Sequence, residues 1–307
     1  MSTWTFGPVS VTRIEEQLGY ASFPPEQYFS GFEREVLDLN LDWLVPNHYV
    51  PAENALITSV HSWLIRTPRH TILLDCCAGN HKDRPWWPRF HQLETPFLER
   101  LRAAGARPGD IDIVLCTHLH ADHIGWNTVL RDGRWVPTFP NAKYLFSRIE
   151  NDFWDPRINV ELAEDPARKI AYRDSVLPVV EAGQAQLVEG SHAIDDTLLV
   201  DDTFQLDDTF SLTPTPGHSP HHCCVDIRSK GHHAVVTGDM MHHALQCREP
   251  HWSTVFDTDP KQAAESRRTF LASVADTNTL VLPIHFPNPT VGLVKGMASG
   301  FDYKFVR

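Results

Sequence analysis

Three imidazoles and one carboxylate stand within six residues in Thr117-His118-Leu119-His120-Ala121-Asp122-His123-Ile124-Gly125. Imidazole nitrogens and a carboxylate oxygen are the ligands of a borderline-soft divalent cation such as zinc. The stretch follows Ile111-Asp112-Ile113-Val114-Leu115-Cys116, a β-branched run that predicts a buried strand. The polar residues therefore begin where a strand ends, on a loop that a sheet can hold in place. We interpret them as part of a metal site.

The acidic composition limits the classes of ligand. The chain has 307 residues, a formal net charge of −12, and 42% hydrophobic residues. Nucleic-acid-binding proteins usually carry a basic face, so we expect no nucleic-acid partner. No apolar run is long enough to span a bilayer, so we also expect no membrane partner. Residues 1–8 lack a basic stretch followed by an apolar one, which predicts a cytoplasmic protein.

The six cysteines do not have the spacing of a disulfide framework or of a zinc ribbon. Cys76-Cys77 and Cys223-Cys224 are adjacent pairs in predicted strands, where neighbouring side chains point to opposite faces. Cys116 ends the strand before the histidine-rich loop, and Cys247 follows a second histidine-rich segment. We interpret all six as reduced thiols.

Strands and helices alternate along the chain, which predicts an α/β protein. The predicted strands are Thr71–Asp75, Ile111–Cys116, Ala142–Phe146, Phe210–Thr215, Cys223–Ile227, Ala234–Thr237 and Thr279–Ile284. Helices are predicted from Thr95 (as N-cap) to Gly105, from Ser147, in capping-box spacing with Glu150, to Trp154, and from Asp259 onward. No repeat or linker-like stretch divides the sequence. We therefore predict one domain over residues 1–307, with residues 1–55 as an N-terminal extension.

Three further candidate ligands stand near the ends of predicted strands. His218 lies in Thr213-Pro214-Thr215-Pro216-Gly217-His218, and Asp239 follows Gly238, whose freedom at positive φ permits a sharp turn. The third, His285, ends Leu280-Val281-Leu282-Pro283-Ile284-His285. A lone histidine after a strand is more often a packed or surface residue than a ligand. The order of all the elements is more informative than any one of them.

That order, H-x-H-x-D-H, then T-P-G-H, then G-D, then a late histidine, resembles the metallo-β-lactamase superfamily over about residues 56–286. The resemblance implies an αββα four-layer sandwich with a two-metal site. We expect Zn²⁺, with Mn²⁺, Co²⁺ or Fe²⁺ as alternatives. By the same resemblance, one metal is bound by His118, His120 and His218, the second by Asp122, His123 and His285, and both by Asp239. Asp75 and His222 are then expected to orient ligands.

Within the superfamily the chain is most similar to N-acyl-homoserine lactonases and, less closely, to methyl parathion hydrolase. This similarity implies a hydrolase that opens a lactone or cleaves a carboxylic ester with a hydroxide bridging the metals. Asp122 is the expected proton shuttle to the leaving group, with His242 as the competing candidate, since His242 stands where the lactonases typically place a tyrosine. A homodimer is also implied.

Alternative functions stay open from sequence. They are a phosphotriesterase or aryl-ester hydrolase, a hydrolytic dehalogenase, and a metal-binding protein without catalysis. Two aromatic stretches are predicted to form an apolar cleft for a small-molecule lactone or ester, or to cover apolar surface only. Their residues are Trp86, Trp87 and Phe90 in one stretch and Phe23, Tyr28 and Phe29 in the other.

Overall fold

The structure, a computed structural model, describes residues 2–161, 165–188 and 210–306. Contacts divide the chain into two units. The first unit comprises Met1–Gln17 and Val60–Asp207, and the second comprises Leu18–Ser59 and Asp208–Arg307. Residues 1–55 are thus shared between both units, and the single-domain interpretation stays a prediction. Each helix in the part of the chain that the structure describes is too short or too polar to span a lipid bilayer.

The described strands are numbered here in chain order. They are β1 (Thr3–Phe6), β2 (Val9–Tyr20), β3 (Phe29–Ser30), β4 (Tyr49–Val50), β5 (Ala55–Arg66), β6 (Thr71–Leu74), β7 (Ile113–Leu115), β8 (Thr128–Arg131), β9 (Arg134–Pro137), β10 (Lys143–Ser147), β11 (Ala185–Val188), β12 (Phe210–Pro214), β13 (Cys223–Ser229), β14 (His232–Val236), β15 (Ser253–Thr254), β16 (Leu280–Leu282), β17 (Gly292–Gly296) and β18 (Phe301–Phe305).

The helices of the same residues are numbered in the same way. They are α1 (Pro25–Tyr28), α2 (Arg34–Asp38), α3 (Leu41–Leu44), α4 (Phe97–Ala103), α5 (Ala121–Ile124), α6 (Arg148–Trp154), α7 (Pro166–Ser175), α8 (Leu177–Glu181), α9 (Leu245–Arg248) and α10 (Pro260–Val274). Short 3₁₀ turns lie at Pro88–Phe90, Gly125–Asn127 and Gly238–Met240, among other places.

The large sheet of the first unit has the order β1-β2-β5-β6-β7-β10-β11. Strands β6, β7, β10 and β11 pair in parallel, whereas β1 with β2 and β5 with β6 pair antiparallel. Parallel strands are usually covered on both faces and therefore consist of continuous apolar runs. Ile72–Leu74 and Ile113–Leu115 have this composition, and both runs are buried. Their carboxyl ends point to one edge of the sheet, where Asp75 and the histidine-rich loop begin.

The sheet of the second unit has the order β12-β13-β14-β16-β17-β18. All of its pairs are antiparallel except β14 with β16. A buried apolar core of this unit includes Val281 of β16 together with Leu271 of α10 and Phe286, which follows β16. Here too, the parallel pair ends at one edge, and Asp239 and His285 follow β14 and β16 there.

The predicted strands are all present, and each of their ends lies within two residues of the predicted position. The predicted start of the Thr95 helix is wrong, because α4 begins at Phe97 and its N-cap residue is Pro96 rather than Thr95. Instead, Thr95 Oγ1 bonds to the side chains of Glu16 and Asn80 at 3.3 and 3.1 Å. Long-range partners thus replace the local cap. Ser147 does cap α6, since its Oγ accepts hydrogen bonds from the first-turn amides.

All six cysteines are free and buried, as the sequence predicts. One detail of that prediction is wrong: Cys76 and Cys77 lie beyond the end of β6, which ends at Leu74. The backbone turns out of the strand at Asp75 and Cys77, whose φ angles are 53° and 46°. This left-handed geometry is uncommon for residues that have a Cβ.

Candidate metal centre

In the first unit, the loop between β7 and α5 brings three imidazole rings together. The ring centroids of His118 and His123 are 4.1 Å apart, and those of His118 and His120 are 4.6 Å apart. His118 and His123 are fully buried. Asp122, one residue from His123, is partly exposed, with its Oδ1 3.8 Å from His123 Nε2. The loop therefore presents nitrogen and oxygen donors in a space of a few ångströms.

Asp75 ties this loop to the end of β6. Its Oδ1 accepts a hydrogen bond from Thr117 N at 2.7 Å, and its Oδ2 accepts one from Thr117 Oγ1 at 2.7 Å. The same Oδ2 lies 2.8 Å from His123 Nδ1. A carboxylate on Nδ1 favours the tautomer in which Nε2 carries the lone pair that a metal needs. Burial raises the pKa of Asp75, although the His123 and Thr117 contacts act in the opposite direction.

The loop is also fixed by backbone contact with residues 76–79. Cys76 N donates to His123 O at 2.6 Å, and Gly125 N donates to Cys77 O at 2.7 Å. These two segments of the backbone approach so closely that a Cβ on Gly125 would lie 1.8 Å from Ala78 O. Only glycine fits at position 125.

Helix α6 contributes a further wall of the first-unit cluster. The indole ring of Trp154 lies edge-on to His120, with centroids 5.0 Å apart. The buried carboxylate of Glu150 accepts hydrogen bonds from Trp154 Nε1 at 2.7 Å and from Leu119 N at 3.4 Å. Glu150 therefore links the helix to the backbone between His118 and His120.

In the second unit, three imidazoles converge on the carboxylate of Asp239. Its Oδ2 lies 3.2 Å from His218 Nε2 and 3.2 Å from His242 Nε2, and its Oδ1 lies 3.0 Å from His285 Nε2. All four side chains are buried. Gly238, at φ 50°, forms the turn that aims Asp239 at them.

The backbone of Asp239 is held by His222. Asp239 N donates to His222 Nε2 at 2.9 Å, so the proton of this imidazole lies on Nδ1, 2.8 Å from Thr215 Oγ1. His222 is fully buried. It thus contacts the backbone of the turn rather than the carboxylate, and its role in orienting a ligand stays a prediction.

His218 lies between two carboxylates. Its Nδ1 is 2.8 Å from Asp257 Oδ1, on the side opposite Asp239. Burial alone would lower the pKa of His218, but Asp239 and Asp257 outweigh burial and raise that pKa to about 9. A cation at Nε2 would therefore have to displace a proton.

His242 lies in a less polar environment. Burial lowers its pKa in spite of Asp239, and within the described residues Nδ1 has no hydrogen-bond partner. Its ring stacks on that of His285 at 5.2 Å and lies 6.2 and 6.1 Å from the rings of Tyr28 and Phe256. Gln246 Oε1 accepts a hydrogen bond from His242 N at 2.7 Å, which fixes the backbone there.

The donor chemistry of both clusters fits a divalent cation. In the first unit, Asp75, His118 and His123 offer ligand atoms within 4.8 Å of one another, and Asp239, His242 and His285 do so in the second. Three imidazole nitrogens around one carboxylate form a set that Zn²⁺ commonly accepts. Which of these side chains coordinate a metal stays a prediction.

The aromatic residues predicted to contact substrate lie in different environments. In the first unit, Trp86 is 47% exposed, and Trp87 and Phe90 are half-buried. The second-unit residues Tyr28 and Phe29 are buried, with Phe29 packed on Trp252. Phe29 thus has a core position. Its assignment as a substrate contact, like that of the others, is a prediction.

Phe23 completes an aromatic group around Phe256. Its ring, 39% exposed, lies 6.1 Å from that of Phe256, which in turn is 5.7 Å from Tyr28. Only Tyr28 and Phe256 of this group contact His242. Phe256 was not predicted from the sequence, because a single phenylalanine in a polar loop gives no periodic signal.

Sequence reasoning also missed Asp257, Gln246 and Glu16. Asp257 lies two residues before Asp259, which caps α10, and the cap alone was recognisable from local spacing. Glu16 could have been found, since it follows the core residue Ile14 by two positions in β2 and period two places both on one face.

Comparison with known sequences decides the family. A sequence model of the metallo-β-lactamase superfamily matches residues 57–285 of this chain. The chain belongs to the metallo-β-lactamase superfamily. That span includes both clusters, from Asp75 to His285.

Two curated lactonases are similar to part of this chain. The N-acyl homoserine lactonase AiiB of Agrobacterium fabrum is 30% identical over 99 residues, which are 28% of this chain and 35% of that protein. The AiiB of Rhizobium rhizogenes matches to the same extent. The chain thus matches about one third of the length of these relatives.

Several solved structures match over almost the whole chain. The hydrolase AbOPH has a TM-score of 0.79 at 24% identity, covering 99% of this chain and 97% of its own. AidC, a dizinc quorum-quenching lactonase in complex with a product, has a TM-score of 0.75 at 22% identity, covering 100% and 97%. A probable metal-dependent hydrolase from Staphylococcus aureus has a TM-score of 0.72 at 19% identity, and the match covers 99% of this chain and 99% of that one. These similarities confirm the predicted α/β fold of the αββα class.

Proposed function

We propose that this protein is a dinuclear metal-dependent hydrolase that opens a lactone or cleaves a carboxylic ester. The observation that supports it most strongly is the convergence of His218, His242 and His285 on Asp239, at 3.0 to 3.2 Å. A buried carboxylate surrounded by three imidazoles is costly unless a cation or protons balance it. The second support is the H-x-H-x-D-H loop of the first unit, which offers a separate donor set.

The proposed ligands follow the superfamily order. His118, His120 and His218 would hold one metal, Asp122, His123 and His285 the other, and Asp239 both. When bound, two divalent cations supply a nucleophile at neutral pH by lowering the pKa of water, and they polarise the substrate carbonyl. We propose Zn²⁺ as the cation, and a cytoplasmic homodimer as the form of the protein.

The chain's own groups are proposed to handle the proton and the apolar part of the substrate. Asp122, partly exposed, would carry a proton to the leaving alkoxide. His242, whose pKa is lowered by burial, would donate a hydrogen bond to an oxygen of the substrate. The rings of Phe23, Tyr28 and Phe256 would exclude water beside it.

The test is hydrolysis of N-acyl-homoserine lactones of short and long chain by the zinc-loaded protein. The proton that ring opening releases is measured by pH-stat. We expect ring opening, the quorum-quenching reaction, which stops on chelation. D122N and H123A should abolish turnover, since a two-metal site needs both metals. D152N, a change of an aspartate on α6 that lies outside the candidate ligand groups, is the matched control and should keep full activity. Full turnover in D122N or H123A would contradict the two-metal hypothesis.

A second candidate is hydrolysis of aryl esters or phosphotriesters. It is favoured by the aromatic group of Phe23, Tyr28 and Phe256, because aromatic rings select aromatic leaving groups by edge and offset stacking. The same protein would be assayed with p-nitrophenyl acetate and a p-nitrophenyl phosphotriester. Chelator-sensitive release of nitrophenol without lactone opening would move the assignment to this class.

A further inference from the structure

A buried carboxylate outside the candidate ligand set holds three segments of the first unit together. Glu16, 3% exposed, accepts hydrogen bonds from Ala78 N at 2.8 Å and from Gly79 N at 3.1 Å. It also accepts one from Trp126 Nε1 at 2.6 Å and one from Thr95 Oγ1 at 3.3 Å. Four donors therefore converge on two oxygens from positions 62 to 110 residues away along the chain.

Such an arrangement needs a carboxylate. Burial raises the pKa of Glu16, while the donors from Ala78, Trp126, Gly79 and Thr95 lower it. An amide in its place would offer one acceptor oxygen and would direct an N–H₂ group at one of the donors. Leaving a buried donor unsatisfied costs about 1–3 kcal/mol.

The segments that Glu16 binds are the ones that hold the histidine-rich loop. Trp126 N donates to Cys76 O at 2.7 Å, next to the bond from Cys76 N to His123 O. Gly125, directly before Trp126, packs against Ala78. Glu16 therefore bonds to both of the segments that meet here. It holds residues 123–126 through the indole of Trp126, and residues 76–79 through the amides of residues 78 and 79.

We propose that Glu16 is a positioning residue of the metal centre. By fixing residues 76–79 against residues 123–126, it holds His123 and Asp75 at the separation that metal binding requires. The proposal rests on the proposed function insofar as the loop must bind a metal. It assigns Glu16 no contact with metal or substrate.

Metal affinity tests the proposal without any substrate. Zn²⁺ dissociation constants are measured by competition with a chromogenic chelator, for the wild type, E16Q and W126F, which removes one of the four donors. Displaced supporting groups typically reduce metal affinity by about 10- to 100-fold. We expect that range for E16Q and a smaller loss for W126F.

The matched control is Y172F. Tyr172 is a buried residue of α7 whose hydroxyl bonds to Asn151 and Asp155 at 2.8 and 3.1 Å. Unfolding by urea, measured on the metal-free proteins, shows how much stability each variant loses. Y172F should lose stability while its Zn²⁺ affinity stays within about two-fold of the wild type, since the hydroxyl that it removes bonds to Asn151 and Asp155 and not to residues 76–79 or 123–126.

Hydrogen exchange gives a second readout on metal-free protein. The Trp126 indole N–H and the amides of Ala78 and Gly79 should exchange faster in E16Q, and remain protected in Y172F. Unchanged Zn²⁺ affinity in a folded E16Q would overturn the proposal and leave Glu16 a stability role alone. If E16Q does not fold, unchanged affinity in W126F has the same meaning. The Zn²⁺ affinity of the wild type separates the two failures. A wild type that binds no Zn²⁺ would overturn the proposed function and, with it, the role proposed for Glu16.

Discussion

Asp257 lies 2.8 Å from His218 on the side of the imidazole that faces away from Asp239. Its carboxylate also accepts hydrogen bonds from Thr254 N and Thr254 Oγ1, at 3.0 and 3.1 Å, so its orientation is fixed. A carboxylate on the distal nitrogen holds a metal-binding histidine in the correct tautomer and makes it a stronger ligand. Asp257 has the geometry for this role toward His218.

We therefore expect D257N to weaken metal binding. An amide accepts a weaker hydrogen bond from Nδ1, and the loss in Zn²⁺ affinity should be about 10- to 100-fold. Chelator competition on folded protein measures it. The matched control is D226N, because Asp226 pairs with His233 at 2.5 Å, and neither is in a candidate ligand group. Equal affinity in D257N and D226N would show that Asp257 has no special role.

His242 is expected to affect turnover more than metal content. H242F keeps a ring between Tyr28 and His285 but removes the hydrogen-bond donor. If His242 assists proton transfer or polarises the carbonyl, kcat should fall about 10²- to 10⁴-fold. KM and metal content, by elemental analysis, should change little. An H242F variant that loses metal, and recovers its kcat when Zn²⁺ is supplied in excess, would instead make His242 a ligand.

Acid should destabilise the second unit through a buried histidine pair. His48 is 1% exposed and stacks on Phe305, with ring centroids 4.7 Å apart. Burial lowers the pKa of His48 to about 3 and that of His243 to about 4. Both are therefore neutral when folded, whereas the unfolded chain takes up protons below its ordinary pKa of about 6.5. Stability is then unaffected above that pH and is lost as the pH falls from about 6.5 toward 3.

The size of this effect can be isolated with H48L. By linkage, the titration of His48 alone should lower the free energy of unfolding by about 2 kcal/mol between pH 8 and pH 5. Urea unfolding of the metal-free proteins at both pH values should show that the wild type loses about this much more than H48L. His243 still titrates in both proteins and cancels in the difference. A pH dependence that is the same in both would mean that His48 is protonated in the folded state.

Gly125 should tolerate no side chain. In G125A the Cβ would lie 1.8 Å from Ala78 O, so one of the two loops must move. We expect a loss of at least about 3 kcal/mol in the free energy of unfolding, or no folded protein. G19A is the control, because nothing lies within 4 Å of a Cβ at Gly19, and its stability should change by less than about 0.5 kcal/mol. A stable G125A would show that the loops can separate.

The sequence indicates the strands and the polar residues that follow them because both signals are local. A buried parallel strand is a continuous apolar run, and a polar residue of the candidate site follows it within a few residues. Asp75, Asp239 and His285 could be found in this way. The Asp259 cap was equally visible, because a capping side chain bonds to amides two or three residues ahead.

Several hydrogen-bonded pairs around the candidate site are formed by residues that are far apart in sequence. Asp257 and His218 are separated by 39 residues, and Glu16 and Trp126 by 110. No periodicity or spacing encodes such a pair, since it depends on how the strands are ordered in each sheet. Thr95 shows the same limit: it has the residue type of a helix cap, but its hydroxyl bonds to Glu16 and Asn80.

The buried thiols offer a way to monitor the two units separately. Cys76, Cys77 and Cys116 lie in the first unit, and Cys223, Cys224 and Cys247 in the second, and all six are buried. Burial raises the pKa of five of them, namely Cys76, Cys77, Cys116, Cys224 and Cys247, so little reactive thiolate is present in the native state. Alkylation must await an opening of the surrounding structure. The chain therefore carries its own reporters, and mass spectrometry of labelled peptides would time the opening of each half without a foreign probe.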